Sequence, residues 1–200
     1  MNIFITGTDT DVGKTIVSSW ICLHSNLKYW KPIQTGIDSD KYTVKALSPK
    51  TEILEEIYLL NAPLSPYNSA ALENKKINTQ VFIENIPTNT VIEGAGGVLV
   101  PISDNFYVVD LIKIMRVKAI IVAKSRLGFL NHIFLTVSEL KSRKIDILGI
   151  IITGEVENFL LDTIEKFSGI KILQVIPPMN NLKDELKNLT PSNRFLEILK

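Results

Sequence analysis

The chain has 200 residues, of which 46% are hydrophobic and 22% are charged, so it can bury one sizeable core but is short for two domains. Its 22 Lys and Arg residues nearly balance 21 Asp and Glu residues, and the net charge of +1 favours neither nucleic acid nor a membrane surface as a partner. We therefore expect a single domain over residues 1–200. The lone Cys22 cannot form an intrachain disulfide, and with no signal peptide or spanning helix in the pattern we expect a cytoplasmic location.

Five short apolar runs rich in β-branched residues predict strands that are covered on both faces, as in a parallel sheet. The segments between them have apolar residues at helical spacing, so strands and helices alternate. This order predicts an α/β fold with a mostly parallel central sheet between two layers of helices. The predicted strands are residues 2–6, 90–94, 118–124, 147–153 and 171–176, and the predicted helices are residues 16–23, 108–115, 133–140 and 159–167.

A further short strand is expected near residues 28–33, ending at Pro32, because proline cannot donate a hydrogen bond to a neighbouring strand. Residues 61–90 are the least regular part of the chain and give no firm prediction. We find no internal repeat, low-complexity segment or Gly/Ser linker that would divide the chain.

The first predicted strand leads into GTDTDVGKT at residues 7–15 and then into an apolar helix. A strand, a turn with Gly7 and Gly13, and a helix start would direct backbone N–H groups at phosphate oxygens, which predicts a P-loop NTPase-like three-layer sandwich. Lys14 would reach the β- and γ-phosphates, and Thr15 would place its hydroxyl on Mg²⁺. Five residues separate the glycines where the usual pattern has four. The alternative is a polar turn that only connects a strand to a helix.

Four polar side chains, those of Thr8, Asp9, Thr10 and Asp11, occupy this loop. Backbone amides alone can bind phosphate, so these side chains indicate contacts with a second ligand beside the γ-phosphate or with the loop and helix themselves. Helix capping by Asp9 or Thr10 is an equally valid interpretation.

Two other motifs supply charged groups. VIEGAGG at residues 91–97 places Glu93 at the C-terminal end of a buried strand, where open α/β sheets bind ligands, so Glu93 is a candidate Mg²⁺ ligand or water-positioning group. WKPIQTG at residues 30–36 places Lys31 at a strand end, where a fixed cation would neutralise the charge that develops on a transferring phosphate. Taken alone, Lys31 would be interpreted as a solvated strand-end lysine.

Together with SD at residues 39–40 and LGFLNH at residues 127–132, these motifs resemble the dethiobiotin synthetases, ATP-dependent enzymes of biotin synthesis. The resemblance covers most of the chain through residue 152. It implies 7,8-diaminononanoate, CO2 and ATP as substrates. One amine would become a carbamate, the γ-phosphate would be transferred to it to form a carbamic-phosphoric anhydride, and the second amine would displace phosphate and close a cyclic urea. A loop that contacts both ATP and a carbamate would explain the polar side chains at residues 8–11.

The resemblance also implies the residues of the site, with ATP as co-substrate and Mg²⁺ as metal cofactor. The implied catalytic residues are Lys31, Lys14 and Thr10. The implied Mg²⁺ ligands are Thr15, Asp40 and Glu93. The implied nucleotide-binding residues are Asp11, Val12, Gly13, Lys14, Thr15, Ile16, Asp40, Glu93, Gly94, Ala95 and Gly96.

The implied protein is a homodimer with an active site shared across the interface, because the LGFLNH loop of this family reaches across a two-fold axis to hold the substrate carboxylate. The implied substrate-binding residues are Thr10, Lys31, Thr35, Leu130 and Asn131.

The chain departs from the family pattern at two places. Tyr67 follows the Ser-Pro pair where the family usually has His. At the end of the strand that in this family normally leads into an Asn that reads adenine, the chain has Thr153, Gly154 and Glu155, which offer no amide side chain to read the base. The alternative is that backbone groups in PPMNN at residues 177–181 read the base.

Two other classes compete with this interpretation. A partition or positioning ATPase would share the fold, but it would carry a signature lysine early in the loop, where this chain has Asp9, and the chain has no basic patch or terminal amphipathic helix for tethering. An amide synthase acting on a corrin precursor would normally add a glutamine amidotransferase domain with a nucleophilic cysteine. The chain is too short for that domain, and Cys22 lies inside a predicted helix.

Overall fold

The computed structural model describes residues 1–200 and contains eleven strands, most of them short. The strands are β1 (Asn2–Gly7), β2 (Lys28–Trp30), β3 (Ile33–Thr35), β4 (Ile53–Leu54), β5 (Tyr58–Leu60), β6 (Thr90–Gly97), β7 (Pro101–Ser103), β8 (Phe106–Tyr107), β9 (Lys118–Lys124), β10 (Ile147–Thr153) and β11 (Ile172–Ile176). Seven of them form one parallel sheet in the order β11-β10-β9-β1-β6-β2-β4. In two small additional sheets, β3 pairs with β5 in parallel and β7 pairs with β8 antiparallel.

Nine helices connect the strands. They are α1 (Lys14–Leu23), α2 (Asp40–Leu47), α3 (Pro66–Leu72), α4 (Gln80–Glu84), α5 (Val108–Met115), α6 (Phe129–Ser142), α7 (Asn158–Ser168), α8 (Leu182–Asn188) and α9 (Asn193–Ile198). None of them combines the length and the apolar character that crossing a membrane requires.

The main sheet is buried on both faces because successive side chains of a strand point to opposite sides. In β1, Ile3 and Ile5 belong to one apolar cluster together with side chains of α1, α2, α8 and α9. Phe4, between them, belongs to a second cluster formed with α5, α6 and α7. The helices therefore lie in two layers with the sheet between them, as the sequence predicted.

All five predicted strands of the sheet and all four predicted helices are present. The strands β9 and β10 and the helix α5 have the predicted bounds. Each of the other elements differs from its prediction at one or both ends by one to four residues, and the largest difference is at the start of α6. These elements were predictable because their apolar residues follow the strand or helix period without interruption.

The prediction of a strand that ends at Pro32 was wrong by two residues. The main-sheet strand β2 ends at Trp30, and β3 begins at Ile33 in a different sheet. The Pro32 carbonyl accepts hydrogen bonds from the backbone N–H groups of Ile57 (2.9 Å) and Tyr58 (3.1 Å), so the chain changes sheets at residues 31–32. Lys31 therefore lies at the break between two strands.

The region 61–90, for which no firm prediction was possible, contains α3 and α4. The Ser65 hydroxyl accepts a hydrogen bond from the Asn68 backbone N–H at 3.3 Å, and Pro66 occupies the first helical position. A serine cap followed by proline is a common helix start, so Ser65 and Pro66 explain where α3 begins.

Candidate active site

A cavity of about 900 Å³ lies at the carboxyl ends of β1, β2 and β6. Parallel sheets bind ligands at this edge because the loops and helix starts that follow neighbouring strands meet there. The predicted site residues that line the cavity are Thr10, Asp11, Gly13, Lys14, Thr15, Ile16, Lys31, Thr35, Asp40, Glu93, Ala95 and Gly96.

Glu93 is the most buried charged side chain of the site, with 1% of its surface exposed. Its Oε1 atom accepts a hydrogen bond from the Thr15 hydroxyl at 2.9 Å. Its Oε2 atom accepts hydrogen bonds from the Ser18 hydroxyl at 2.8 Å and from the Tyr29 hydroxyl at 3.1 Å. Three hydroxyl donors thus satisfy a carboxylate that would otherwise be costly to bury.

Lys31 lies between the two carboxylates of the site. Its ammonium donates to Asp40 Oδ2 and is 3.6 Å from Glu93 Oε1, and only 8% of the residue is exposed. Burial alone would lower the pKa of Lys31, but the charges of Glu93 and Asp40 outweigh it, and the net pKa is raised. Lys31 is therefore a fixed, permanently charged group at the cavity wall, which argues against the interpretation as a solvated strand-end lysine.

Lys14 is equally buried but has no carboxylate within ion-pair distance. Its ammonium donates to the Asp9 backbone carbonyl at 3.1 Å. Burial lowers the pKa of Lys14, and the nearby positive charge of Lys31 acts in the same direction, against the attraction of Glu93. An anionic ligand in the cavity would supply the counter-charge that the protein does not.

The polar side chains of the phosphate loop have different roles. Asp9 accepts a hydrogen bond from the Thr10 backbone N–H at 2.7 Å and contacts the Arg126 guanidinium, and these two interactions lower the pKa of Asp9. Thr10 and Asp11 line the cavity. Neither Asp9 nor Thr10 caps α1, since the capping residue is Gly13, whose φ of 90° favours glycine. Asp9 therefore shapes the loop, while its neighbours face the ligand space.

Sequence reasoning missed Ser18, Tyr29 and Gln34, which organise the site. The Gln34 side chain accepts a hydrogen bond from the Asp40 backbone N–H at 3.3 Å and donates to the Thr35 carbonyl at 2.9 Å. Spacing was an available signal for the other two, because Ser18 is one helical turn after Thr15 and Tyr29 is two strand positions before Lys31.

The segment 61–66 also contributes to the cavity, although no residue of it was predicted there. Tyr67, which replaces the usual His of the family pattern, is exposed and does not line the cavity. The lining residues from this segment are Asn61, Pro63, Leu64, Ser65 and Pro66.

Four predicted site residues lie outside the cavity. Val12 is buried, and Gly94 packs so closely that an added Cβ would lie 2.7 Å from the Phe4 ring. Leu130 packs partly into the core, and Asn131 is exposed in the first turn of α6. The cavity of one chain therefore does not include the LGFLNH segment.

The segment after β10 gives a physical reason to expect weak base selectivity. The Thr153 hydroxyl already donates to the Val12 carbonyl at 2.8 Å, and the exposed Glu155 is a carboxylate that can only accept. In the alternative segment 177–181, the backbone N–H groups of Asn180 and Asn181 both donate to Glu185 Oε1, at 3.0 and 2.6 Å. Few polar groups are thus left to recognise a base edge.

We expect ATP to be preferred over GTP or CTP by no more than about tenfold in kcat/KM, roughly the 1.4 kcal/mol of one modest hydrogen bond. Parallel steady-state measurements with the three nucleotides check this. A preference for ATP beyond about a hundredfold would show that another part of the chain recognises the base.

A phosphate loop at the end of β1 is followed by α1 and shares its cavity with Lys31, Asp40 and Glu93, and this arrangement defines a P-loop nucleotide-dependent enzyme. The sequence model described as an AAA domain matches residues 1–186. The chain is 42% identical to the ATP-dependent dethiobiotin synthetase BioD of Lawsonia intracellularis, over 94% of each chain, and 38% identical to that of Paramagnetospirillum magneticum, over 88% of each. The chain belongs to the ATP-dependent dethiobiotin synthetase family, so it is a ligase of biotin biosynthesis.

Solved structures confirm the fold. The ParA family ATPase of Chlorobium tepidum superposes with a TM-score of 0.55 at 13% identity, over 98% of this chain and 92% of the other. The MinD cell division protein of Aquifex aeolicus superposes with a TM-score of 0.56 at 15% identity, over 95% of this chain and 87% of the other. At this level of identity the likeness extends to the P-loop NTPase fold alone, and it does not favour a partition or positioning activity.

Proposed function

We propose that the chain condenses 7,8-diaminononanoate with CO2 at the expense of ATP to give dethiobiotin, ADP and phosphate. The observation that carries this proposal is the arrangement of the buried Lys31 and Glu93 with the partly exposed Asp40, which lies beside Lys14 of the phosphate loop in one cavity. A simple NTPase needs the loop lysine. A second fixed cation, at the end of another strand, suits a reaction in which a second anion meets the γ-phosphate.

The proposed reaction has three steps. An amine nitrogen of the substrate attacks CO2 and loses a proton, which gives a carbamate. A carbamate oxygen then attacks the γ-phosphorus, the bond from that phosphorus to the bridging oxygen breaks, and ADP leaves. The second amine finally attacks the carbamoyl carbon of the carbamic-phosphoric anhydride, phosphate leaves, and the ring closes.

The proposed role of the cationic residues is positioning and charge neutralisation, which supply most of the catalysis in phosphoryl transfer. Lys14 would bind the β- and γ-phosphates. Lys31 would bind the carbamate and face the charge that develops during transfer. The hydroxyls of Thr10 and Thr35, which line the same cavity, would orient the carbamate and the substrate amines.

The residues present fit Mg²⁺, which prefers oxygen ligands and is usually held by one or two carboxylates together with phosphate oxygens. Thr15, Asp40 and Glu93 offer one hydroxyl and two carboxylates around the cavity. The structure gathers no group of three or more His, Cys, Asp and Glu side chains. When bound, Mg²⁺ would neutralise charge on the phosphates.

The remaining proposed contacts to ATP come from backbone groups. Gly13, Thr15 and Ile16 at the start of α1 would direct N–H groups at the phosphates, with Asp11 and Val12 completing the loop. Ala95 and Gly96, near the end of β6, line the cavity and would leave room for the nucleotide because they are small. Gly94 would act through packing, since only glycine fits against Phe4.

We also propose a homodimer in which Leu130 and Asn131 of one chain bind the substrate carboxylate in the site of the other. The backbone N–H groups of Leu130 and Asn131, in the first turn of α6, have no hydrogen-bond acceptor, and the preceding Leu127 is fully exposed. Free N–H groups at a helix start bind anions, and an exposed leucine beside them suits an interface.

If the LGFLNH loop binds the substrate equally strongly in the ground state and in the transition state, Asn131→Ala should raise the KM for the diamine more than it lowers kcat. Asn188→Ala, which changes an exposed asparagine at the end of α8, is the matched control and should behave like wild type. A fully active monomer in light scattering would contradict the shared site.

A coupled assay of ADP release tests the proposed function. With purified protein, MgATP and bicarbonate, ADP release should depend on added diaminononanoate, and mass spectrometry should detect dethiobiotin. ATP turnover that ignores the diamine but rises with DNA or lipid vesicles would overturn the proposal in favour of a positioning ATPase.

A further inference from the structure

The two oxygens of the Glu93 carboxylate have different surroundings. Oε1 faces Thr15 at 2.9 Å and Lys31 at 3.6 Å, and both of these residues line the cavity. Oε2 faces Ser18 at 2.8 Å and Tyr29 at 3.1 Å, neither of which lines it. One oxygen is therefore directed to the ligand space, and the other is directed into the protein.

We propose that Tyr29 and Ser18 are positioning residues that hold Oε2 of Glu93 and thereby aim Oε1 at the metal and nucleotide. This inference rests on the proposed function, in which Glu93 is a ligand of Mg²⁺. Neither residue would touch the metal or a substrate, so both act through Glu93.

The burial of these groups makes the arrangement rigid. Tyr29 and Ser18 are both fully buried, so no solvent competes for the Oε2 atom. A carboxylate oxygen can only accept, so both hydroxyls are donors, and hydrogen bonds to a charged acceptor are stronger than neutral ones. The Glu93 side chain consequently cannot rotate without leaving a charged oxygen unsatisfied in the core, which is costly.

The donors come from separate elements, which also fixes the position of the carboxylate in the fold. Tyr29 lies on β2, which pairs directly with β6, the strand that carries Glu93. Ser18 lies on α1, one turn after Thr15 of the phosphate loop. The hydrogen bonds to Oε2 therefore link the phosphate loop helix α1, the strand β2 that precedes Lys31, and the strand β6 that carries Glu93.

Support of a metal ligand by a second layer of hydrogen bonds typically contributes about 10–100-fold to metal affinity or activity. Tyr29→Phe removes one donor and keeps the ring, so the packing of the core is preserved. We expect it to raise the half-saturating Mg²⁺ concentration about tenfold, with Ser18→Ala in the same direction. The double variant should raise the half-saturating Mg²⁺ concentration more than either single change, because Oε2 of Glu93 then has no hydrogen-bond donor.

The experiment measures, by calorimetry, the Mg²⁺ concentration that half-saturates ADP binding, alongside the same quantity for turnover. The matched control is Tyr58→Phe, which removes a tyrosine hydroxyl that accepts a hydrogen bond from the Asn78 backbone N–H at 2.9 Å, away from the cavity. Tyr58→Phe should leave the Mg²⁺ requirement unchanged. Thermal unfolding of each variant reports separately on a loss of stability.

Glu93→Gln separates this inference from the proposed metal role. An increased Mg²⁺ requirement in Glu93→Gln but not in Tyr29→Phe, Ser18→Ala or the double variant would overturn the positioning role and leave the proposed function intact. An unchanged requirement in Glu93→Gln would overturn the metal role itself, and the positioning role with it. An increased Mg²⁺ requirement in Glu93→Gln, Tyr29→Phe, Ser18→Ala and the double variant, with no increase in Tyr58→Phe, supports both the metal role of Glu93 and the positioning role.

Discussion

Lys31→Ala is expected to lower kcat by roughly 10²–10³-fold, the usual cost of removing one preorganised group that faces charge developing in a transition state. Lys31 faces the cavity between Asp40 and Glu93 and remains charged, because the attraction of these carboxylates outweighs burial and raises its pKa. A coupled assay of diamine-dependent ADP release checks this. Turnover close to wild type in the purified variant would remove Lys31 from the catalytic machinery.

The same change should destabilise the protein, because it leaves two neighbouring carboxylates without their shared cation. Breaking a buried ion pair costs about 3–5 kcal/mol, and we expect about 1–3 kcal/mol here, since Asp40 is partly solvated and Glu93 keeps its hydroxyl donors. Mg²⁺ should restore part of this loss, so it should raise the Tm of Lys31→Ala more than that of wild type.

Lys28→Ala is the matched control for Lys31→Ala. It removes a lysine of β2, three residues before Lys31, whose ion pair with Glu52 is exposed, and such pairs contribute about 0–1 kcal/mol. Neither turnover nor the response of the Tm to Mg²⁺ should change much. An equal response of Lys28→Ala and Lys31→Ala to Mg²⁺ would show that the metal does not take over the charge of Lys31.

The elements of the main sheet could be predicted from the sequence because each one carries its own periodic signal. The phosphate loop and Glu93 could be placed for the same reason, since the loop follows β1 and Glu93 lies on β6, and both strands run towards the ligand-binding edge. The break at Lys31 could not be placed to the residue. It depends on Pro32 accepting hydrogen bonds from Ile57 and Tyr58, more than twenty residues later in the chain.

Contacts between distant residues were the part of the site that the sequence did not reveal. The Arg126 guanidinium contacts Asp9, and the Thr153 hydroxyl donates to the Val12 carbonyl. Each contact joins segments that are more than a hundred residues apart, and no local pattern indicates either pair. In the sequence, only the family resemblance indicated the contribution of Leu130 and Asn131. They lie outside the cavity of their own chain, so a second copy of the chain must be present to test it.

Lys14→Met is expected to lower turnover by a factor similar to that of Lys31→Ala but to leave the protein at least as stable as wild type. Lys14 is buried, and its only partner is the Asp9 carbonyl, 3.1 Å away. Without a nucleotide to supply the counter-charge, the burial of this cation destabilises the protein. Methionine fills a similar volume without the charge, and we expect a gain on the order of 1 kcal/mol, as at other sites where function is kept at the expense of stability.

The stability difference between Lys14→Met and wild type should depend on pH, whereas a difference caused by packing alone would not. Burial lowers the pKa of Lys14 below its usual value of 10.5, so between these two values the unfolded chain binds more protons than the folded protein. Stability contributed by this site therefore rises with pH across that window. The advantage of Lys14→Met over wild type should be fully present below the lowered pKa and should shrink as the pH approaches 10.5. Thermal unfolding of both proteins from neutral to alkaline pH measures the difference, and a Tm advantage that stays constant or grows would contradict the desolvated charge as its cause.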